Sequence, residues 1–197
     1  TLIPGSIVMP WIKDVQGAVS IFLGGEETGN AVADVLLGRV NPSGRSPVTF
    51  YNREEDASIR PCEGTSCDYS EGLFMGWRGV HRSSVLFPFG HGLSYTVFEY
   101  EWRERPRPRG RGECAGIVCM STKIRNAGSR SGAEIAQLYL TFPEQLKEPP
   151  LVLRGFSKVH IVAGGEEVVN FVLEPSHLQV YLHGGWQLSD GSYEAHI

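Results

Sequence analysis

The sequence has 197 residues, of which 41% are hydrophobic and 20% charged, as in an ordinary globular protein. Its net charge of −4 argues against nucleic acid as a primary partner, because phosphate binding needs a concentrated basic surface. No apolar run reaches the length needed to cross a bilayer, so we expect no membrane span. The opening at Thr1, with neither an initiating Met nor a signal-peptide pattern, suggests a fragment or a processed chain.

The first elements of the chain form an α/β pattern. Val15–Leu23 ends in an apolar run, which is typical of a strand buried on both faces of a parallel sheet. Apolar residues at helical spacing over 31–36, followed by Gly38 as a stop signal, predict a helix. The turn Asn41–Gly44 and a short strand, Ser46–Tyr51, then complete a predicted right-handed, parallel βαβ unit.

Four cysteines fall as two short pairs, Cys62 with Cys67 and Cys114 with Cys119. Neither spacing matches a zinc ribbon and no His pair completes a ligand set, so we predict no metal site. Two local disulfides are the expected alternative in an oxidising compartment. The first pair fits better, because C-E-G-T-S-C is loop-like whereas a strand pattern begins at Ile117 beside the second pair.

The stretch Tyr69–Trp77 (Y-S-E-G-L-F-M-G-W) is rich in aromatic residues around a single acid, Glu71. Such a stretch is able to line a sugar site, because aromatic faces stack on sugar rings and carboxylates accept hydrogen bonds from sugar hydroxyls. It fits a loop packed on a neighbouring domain equally well. Both interpretations stay open from the residues alone.

The segment Leu86–Tyr95 (L-F-P-F-G-H-G-L-S-Y) joins the two halves of the sequence. Two glycines flank His91, and they allow close backbone approach or positive φ, while the aromatic residues fill a joint between layers. We therefore interpret the segment as a packed interdomain connector and His91 as a structural histidine, not a catalyst.

The second half alternates between apolar and polar residues with period two. Its Arg103–Arg111 tract (R-E-R-P-R-P-R-G-R) is interpreted as an extended, solvated linker or a hairpin tip. Short strands separated by turn signals then predict a sandwich of the immunoglobulin or fibronectin type III kind. It offers no acid pair, no nucleophile beside a base and no metal cluster, so we expect it to be scaffold. The predicted strands are Ile117–Arg125, Ala133–Phe142, Leu151–Val162, Val168–Leu173, Leu178–Leu182, Trp186–Leu188 and Tyr193–Ile197.

Several motifs resemble those of family 3 glycoside hydrolases. They are Gly24–Phe50 (G-G-E-E-T-G-N-A-V-A-D-V-L-L-G-R-V-N-P-S-G-R-S-P-V-T-F), Asp68–Arg78 (D-Y-S-E-G-L-F-M-G-W-R) and Leu86–Tyr100 (L-F-P-F-G-H-G-L-S-Y-T-V-F-E-Y). The sandwich stretch L-R-G-F-S-K-V-H-I-V-A-G-G-E-E-V-V-N-F-V-L is similar to the family's fibronectin-like domain. The resemblance implies that residues 1–97 end the family's α/β sandwich domain and that residues 98–197 form its fibronectin type III-like domain.

The resemblance further implies a retaining exo-β-glucosidase acting on β-glucosides or oligosaccharides, without a cofactor, in a secreted or vacuolar compartment. Such enzymes use two carboxylates. In this family both lie upstream of the matched region, on an N-terminal (β/α)8 barrel and in the earlier part of the α/β sandwich. We therefore expect no catalytic residue in this chain and no activity from it alone. The alternatives are a β-xylosidase or arabinofuranosidase of the same family, or a non-catalytic carbohydrate-binding or assembly remnant.

Two departures from the family pattern bear on substrate preference. Gly25-Glu26-Glu27 stands where the family has a glycine-glutamine turn, and Trp77 stands where it has tyrosine. The residues expected at the edge of the substrate cleft are Glu71, Tyr69, Trp77 and Glu27. We also expect residues 1–95 to need a companion polypeptide for stability, whereas the sandwich has its own two-layer core.

Overall fold

The computed structural model describes residues 1–57, 62, 64–79, 84–108 and 116–197. The chain divides into two compact units. Unit 1 comprises Thr1–Val40 and Gly44–Gly92, and unit 2 comprises Asn41–Ser43 and Leu93–Ile197. Among the described residues, no helix combines the length and the apolar character that crossing a membrane requires.

Unit 1 contains the predicted helix, α1, which runs from Thr28 to Leu36. Its C-terminal end is a Schellman motif: the N–H of Gly38 donates to Val35 O at 3.0 Å, and the N–H of Arg39 donates to Asp34 O at 2.8 Å. Gly38 has a φ of 70°, the left-handed conformation that this motif requires. The predicted stop signal is therefore confirmed at the residue expected.

The structure corrects the strand pairing predicted around this helix. Val15–Leu23 forms no regular strand; Ile21 makes an isolated parallel bridge to Leu2. Ser46–Tyr51 is reduced to β1, Phe50–Tyr51, which pairs antiparallel with β2, Val85–Phe87. The apolar run was expected to be buried on both faces, but Leu23 is 86% exposed, so the layers that would make it a central strand are not among the described residues.

The core of unit 1 is small. Its buried members are Ile3, Met9 and Phe50, packed against partly buried neighbours such as Trp11 and Phe87. Among the described residues of the unit, short 3₁₀ helices cover Pro10–Asp14, Glu54–Asp56 and Gly76–Arg78. Helix α1 contributes no buried residue to this core, although its apolar positions have the predicted spacing.

In its described residues, unit 2 is a sandwich of two three-stranded antiparallel sheets with a separate hairpin. One sheet has the order β3-β4-β7, the other has the order β10-β5-β6, and β8 pairs with β9. The strands are β3 Phe98–Pro108, β4 Val118–Asn126, β5 Gly132–Thr141, β6 Val152–Ile161, β7 Glu166–Leu173, β8 Val180–Leu182, β9 Gly185–Gln187 and β10 Glu194–His196. A short helix, α2 (Pro175–Leu178), precedes β8, and a 3₁₀ helix covers Glu144–Leu146.

The core of unit 2 is drawn from both sheets. Met120 and Ile124 on β4 pack with Leu138 and Leu140 on β5 and with Ile161 on β6. Along β5 the side chains alternate strictly between buried and half-buried, which is the period-two pattern predicted for it. The predicted two-sheet sandwich is therefore confirmed, except that Leu178 ends helix α2 and does not begin a strand.

For Arg103–Arg111 the linker interpretation is wrong over the described part, whereas the hairpin alternative agrees with the antiparallel pairing of β3 and β4. Residues 103–108 belong to strand β3, which pairs with β4 through Pro108↔Val118, and residues 109–111 lie outside the described residues. Prolines are tolerated here because β3 is at the edge of its sheet and the register shifts between Glu104 and Arg107. The tract is solvated as expected, since Arg103, Arg105 and Arg107 are exposed.

Candidate functional site

The aromatic loop, residues 69–78, has a defined backbone. The N–H of Phe74 donates to Glu71 O at 2.9 Å and closes a turn. Gly72 and Gly76 have φ values of 53° and 57°, where a side chain would be strained even though both positions are open to added atoms. Arg78 ends the short 3₁₀ helix that follows. The glycines thus fix where the loop turns.

Tyr69 and Glu71 are the predicted site residues that this loop presents. The side chain of Tyr69 is 63% exposed, and its hydroxyl donates to Met75 Sδ at 2.8 Å. That contact steadies the ring at one edge and leaves much of its surface in solvent. Glu71 is half-buried in the turn. An exposed aromatic face two residues from a carboxylate suits contact with a sugar ring and its hydroxyls.

Trp77 is half-buried and packs against other side chains of unit 1. Its ring lies parallel to that of Phe89, with centroids 4.7 Å apart and 10° between the planes. The guanidinium carbon of Arg78 lies 5.8 Å from the same ring. Trp77 therefore anchors the loop to the connector. Phe89 and Arg78 were not expected at the site; the aromatic L-F-P-F stretch was the signal for the first.

Glu27 belongs to a different element from the aromatic loop, because it is the residue that precedes α1. Its side chain is exposed, and Asn30 Nδ2 donates to its Oε2 at 2.5 Å. A carboxylate at this position also interacts favourably with the partial positive charge at the start of a helix. Three of the predicted residues thus share one loop, and Glu27 belongs to another element.

The connector packs aromatic rings against His91. The His91 ring stacks on Phe87 with centroids 5.0 Å apart, and Phe87 meets Phe50 edge-on. Backbone bonds tie the segment to Ser46, whose N–H donates to His91 O and whose carbonyl accepts from Gly90 N, both at 2.8 Å. Burial, with a smaller contribution from the charge of Arg45, holds the pKa of His91 below its ordinary value of 6.5. The imidazole is thus neutral at physiological pH and serves packing.

A disulfide links Cys62 to Cys67, with Cα atoms 5.9 Å apart, just before the aromatic loop. The first predicted bridge is therefore confirmed. Cys119 is also disulfide-bonded, and its predicted partner, Cys114, lies outside the described residues. In the part of the chain that the structure describes, no three His, Cys, Asp or Glu side chains form a group able to hold a metal ion.

Comparison with protein families identifies two domains. Residues 2–95 match the glycosyl hydrolase family 3 C-terminal domain, and residues 134–197 match a fibronectin type III-like domain. These are the two domain types that the motifs resembled, in the same order.

Two relatives align along almost the whole chain. It is 38% identical over 187 residues to thermostable beta-glucosidase B of Acetivibrio thermocellus, which covers 91% of this chain and 24% of that protein. It is 35% identical over 212 residues to beta-glucosidase B of Emericella nidulans, covering 98% of this chain and 24% of the relative. The chain thus spans about a quarter of the length of these relatives.

Solved structures agree with the sequence relatives. The beta-glucosidase of Kluyveromyces marxianus in complex with glucose is 29% identical, with a TM-score of 0.88 over 98% of this chain and 24% of that one. A beta-glucosidase from Paenibacillus barengoltzii is 31% identical, with a TM-score of 0.87 over 99% of this chain and 23% of the other. The predicted fold class, a partial α/β unit followed by a fibronectin-like sandwich, is confirmed.

Proposed function

Because the chain belongs to glycoside hydrolase family 3, with its C-terminal domain and a fibronectin type III-like domain, we propose that it forms the C-terminal portion of a retaining exo-β-glucosidase. The alignment with two beta-glucosidases over 91% and 98% of the chain carries this proposal. The activity belongs to the whole enzyme, of which the relatives' lengths make this chain about a quarter.

The aromatic loop is the part of the chain that contacts the substrate. Tyr69 supplies an exposed ring for the apolar face of a glucosyl residue, and Glu71 accepts hydrogen bonds from its hydroxyls. Trp77 acts mainly by holding the loop in place through its stack on Phe89. Glu27 is the weakest member of the set, because it lies on a separate element and already accepts a bond from Asn30.

The bond-breaking carboxylates are supplied by another part of the enzyme. Retaining glycosidases need two carboxyl groups about 5 Å apart on either side of the glycosidic bond. The aromatic loop offers groups that recognise a sugar, but Glu71 is its single carboxylate, so it cannot supply the pair. We therefore expect hydrolysis only when these residues are joined to the upstream portion that carries the barrel.

Exposed apolar residues on unit 1 support the proposal that a companion polypeptide packs on it. Its first forty residues expose large apolar side chains: Leu2, Val8, Val15, Val19, Leu23, Leu36, Leu37 and Val40. Because burial of apolar surface is favourable, these side chains are available for contact with another part of the enzyme. We propose that the upstream portion of the enzyme covers them. A secreted or vacuolar compartment is proposed as well, because it would preserve the Cys62–Cys67 disulfide.

The test is the intact mass of the native protein together with hydrolysis of an aryl β-glucoside. We expect a polypeptide longer than 197 residues that releases β-glucose first, whereas the 197-residue chain alone releases none. Preference for an aryl β-xyloside or arabinofuranoside would reassign the substrate within the family. A native protein without any of these activities would overturn the enzymatic proposal and leave a binding or assembly role.

A further inference from the structure

The β8–β9 hairpin of unit 2 presents an aromatic pair to solvent. Tyr181 on β8 lies directly opposite Trp186 on β9. Their ring centroids are 5.6 Å apart, with 73° between the planes, and the two side chains are 62% and 67% exposed. Two large aromatic side chains held together at the surface are characteristic of binding sites, where their rigid rings contribute contact area at low entropic cost.

The hairpin that carries the pair has a regular two-residue turn. His183 and Gly184 form its two-residue turn with φ values of 51° and 85°, the type I′ geometry that matches the strand twist. Gln187 Nε2 donates to Leu182 O at 3.1 Å across the hairpin. The rings are therefore displayed on a well-defined backbone.

The opposite face of the hairpin is anchored in the core of unit 2. Val180 is buried there, and Leu182 packs against the same cluster. Helix α2, just before β8, is tied to the neighbouring sheet because Arg154 Nε donates to His177 O at 2.7 Å. One face of the hairpin is thus fixed by packing, and the other face is left to Tyr181 and Trp186.

We propose that Tyr181 and Trp186 form a carbohydrate-binding site for a soluble β-glucan chain. The hairpin, residues 180–188 (V-Y-L-H-G-G-W-Q-L), has no Asp, Glu, Lys or Arg, so it favours an uncharged ligand. A pyranose ring presents an apolar face of C–H groups to an aromatic ring and a rim of hydroxyls to polar side chains. His183, exposed in the turn beside the pair, supplies such a group. The choice of a β-glucan rests on the proposed function.

The angle between the rings specifies the form of the ligand. Rings that lie in one plane suit the flat surface of a crystalline polysaccharide. At 73° the rings form a corner, which accepts a single twisted chain and offers a flat surface too little contact. The site therefore prefers soluble oligosaccharides and mixed-linkage glucan to crystalline cellulose.

The experiment measures binding of cellohexaose to the 197-residue chain by protection of tryptophan from iodide quenching. Trp186 is the exposed tryptophan, whereas Trp11, Trp77 and Trp102 are half-buried. We expect cellohexaose to protect the tryptophan fluorescence from quenching. Maltohexaose, its α-linked counterpart, should bind with an affinity at least tenfold lower. Tyr181→Ala and Trp186→Ala should weaken binding at least tenfold; for the second variant binding is followed by calorimetry. Phe156→Ala, which removes a 73% exposed ring on β6, is the matched control and should bind as the parent does.

Circular dichroism of each variant establishes that the sandwich is folded. No binding by the folded parent, or equal binding by Trp186→Ala, would overturn the inference. So would hydroxyl-radical footprinting of the complete enzyme that finds Trp186 shielded without sugar, because the pair would then be a protein contact. Hydrolysis of an aryl β-glucoside by the same enzyme is scored separately. Activity without cellohexaose binding refutes the hairpin site alone, and binding without activity refutes the proposed enzymatic function alone.

Discussion

The hydroxyl of Thr96 donates to the buried side-chain oxygen of Asn126 at 2.6 Å. The same oxygen accepts from Gly128 N at 3.1 Å, while the Asn126 amide nitrogen donates to Arg130 O at 2.7 Å and to Ile161 O at 3.1 Å. Asn126 is fully buried, so its amide satisfies the groups that the turn between β4 and β5 would otherwise leave without partners. This one side chain joins the start of β3, the turn and the end of β6.

We expect Asn126→Ala to destabilise unit 2 by about 3 kcal/mol, because buried donors and acceptors are left unpaired. Urea unfolding followed by circular dichroism measures the loss as a lower midpoint. Asn170→Ala is the matched control, since Asn170 lies on the exposed side of β7 and should change stability by less than about 0.5 kcal/mol. Equal midpoints for the two variants would contradict the role assigned to Asn126.

His91 predicts a pH dependence of the stability of unit 1. Burial and, to a smaller extent, Arg45 lower its pKa in the folded state below 6.5. The unfolded state therefore binds the proton first, and stability falls as the pH drops below about 6.5. Between pH 7.5 and pH 5.5, the free energy of unfolding should fall less in His91→Asn than in the parent. An NMR titration giving His91 a pKa above 6.5 would reverse the sign and refute the prediction.

Much of the fold was predictable where local signals and burial agree. The helix stop at Gly38 and the strict alternation of β5 are local patterns, and the structure has both. The pairing around Val15–Leu23 was not predictable. An apolar run indicates a buried strand only where other layers cover it, and here Leu23 is 86% exposed. The Arg103–Pro108 tract failed for the converse reason. Its prolines indicate a linker locally, while pairing with β4 and an edge position override them.

The candidate site was predictable to a similar extent. Tyr69 and Glu71 stood out by composition, and the structure places both on one loop, with Glu71 beginning its turn. That Trp77 would be stacked on Phe89 was beyond the sequence, because the two are twelve residues apart and no periodicity relates them. Glu27 was predicted from its position in a motif, and the structure places it directly before helix α1.

The aromatic loop gives a prediction for the complete enzyme. Tyr69→Ala should raise KM for an aryl β-glucoside about fivefold, because loss of an aromatic contact costs about 1 kcal/mol. Tyr69→Phe keeps the ring and should leave KM within about twofold. Glu71→Gln should raise KM with kcat nearly unchanged, as for a group that binds without reacting. A loss of kcat of a thousandfold or more in Glu71→Gln would instead make Glu71 part of the reacting machinery.

Helix α1 supplies two substitutions of opposite sign. Gly38→Ala places a side chain at a φ of 70° and should destabilise unit 1 by about 1 kcal/mol. Gly29→Ala lies within the helix, where an added Cβ meets no atom within 4 Å, and should stabilise it by about 0.7 kcal/mol. Both variants add the same methyl group, so each controls for the change in composition.

These two stabilities are best compared in the complete enzyme, by hydrogen exchange of the amides in residues 28–39. Faster exchange in Gly38→Ala and slower exchange in Gly29→Ala is the expected pattern. If both substitutions changed the exchange rates in the same way, the Schellman motif at the end of α1 would contribute nothing beyond helix propensity. That result would contradict the two hydrogen bonds from Gly38 and Arg39 as the determinant of where the helix ends.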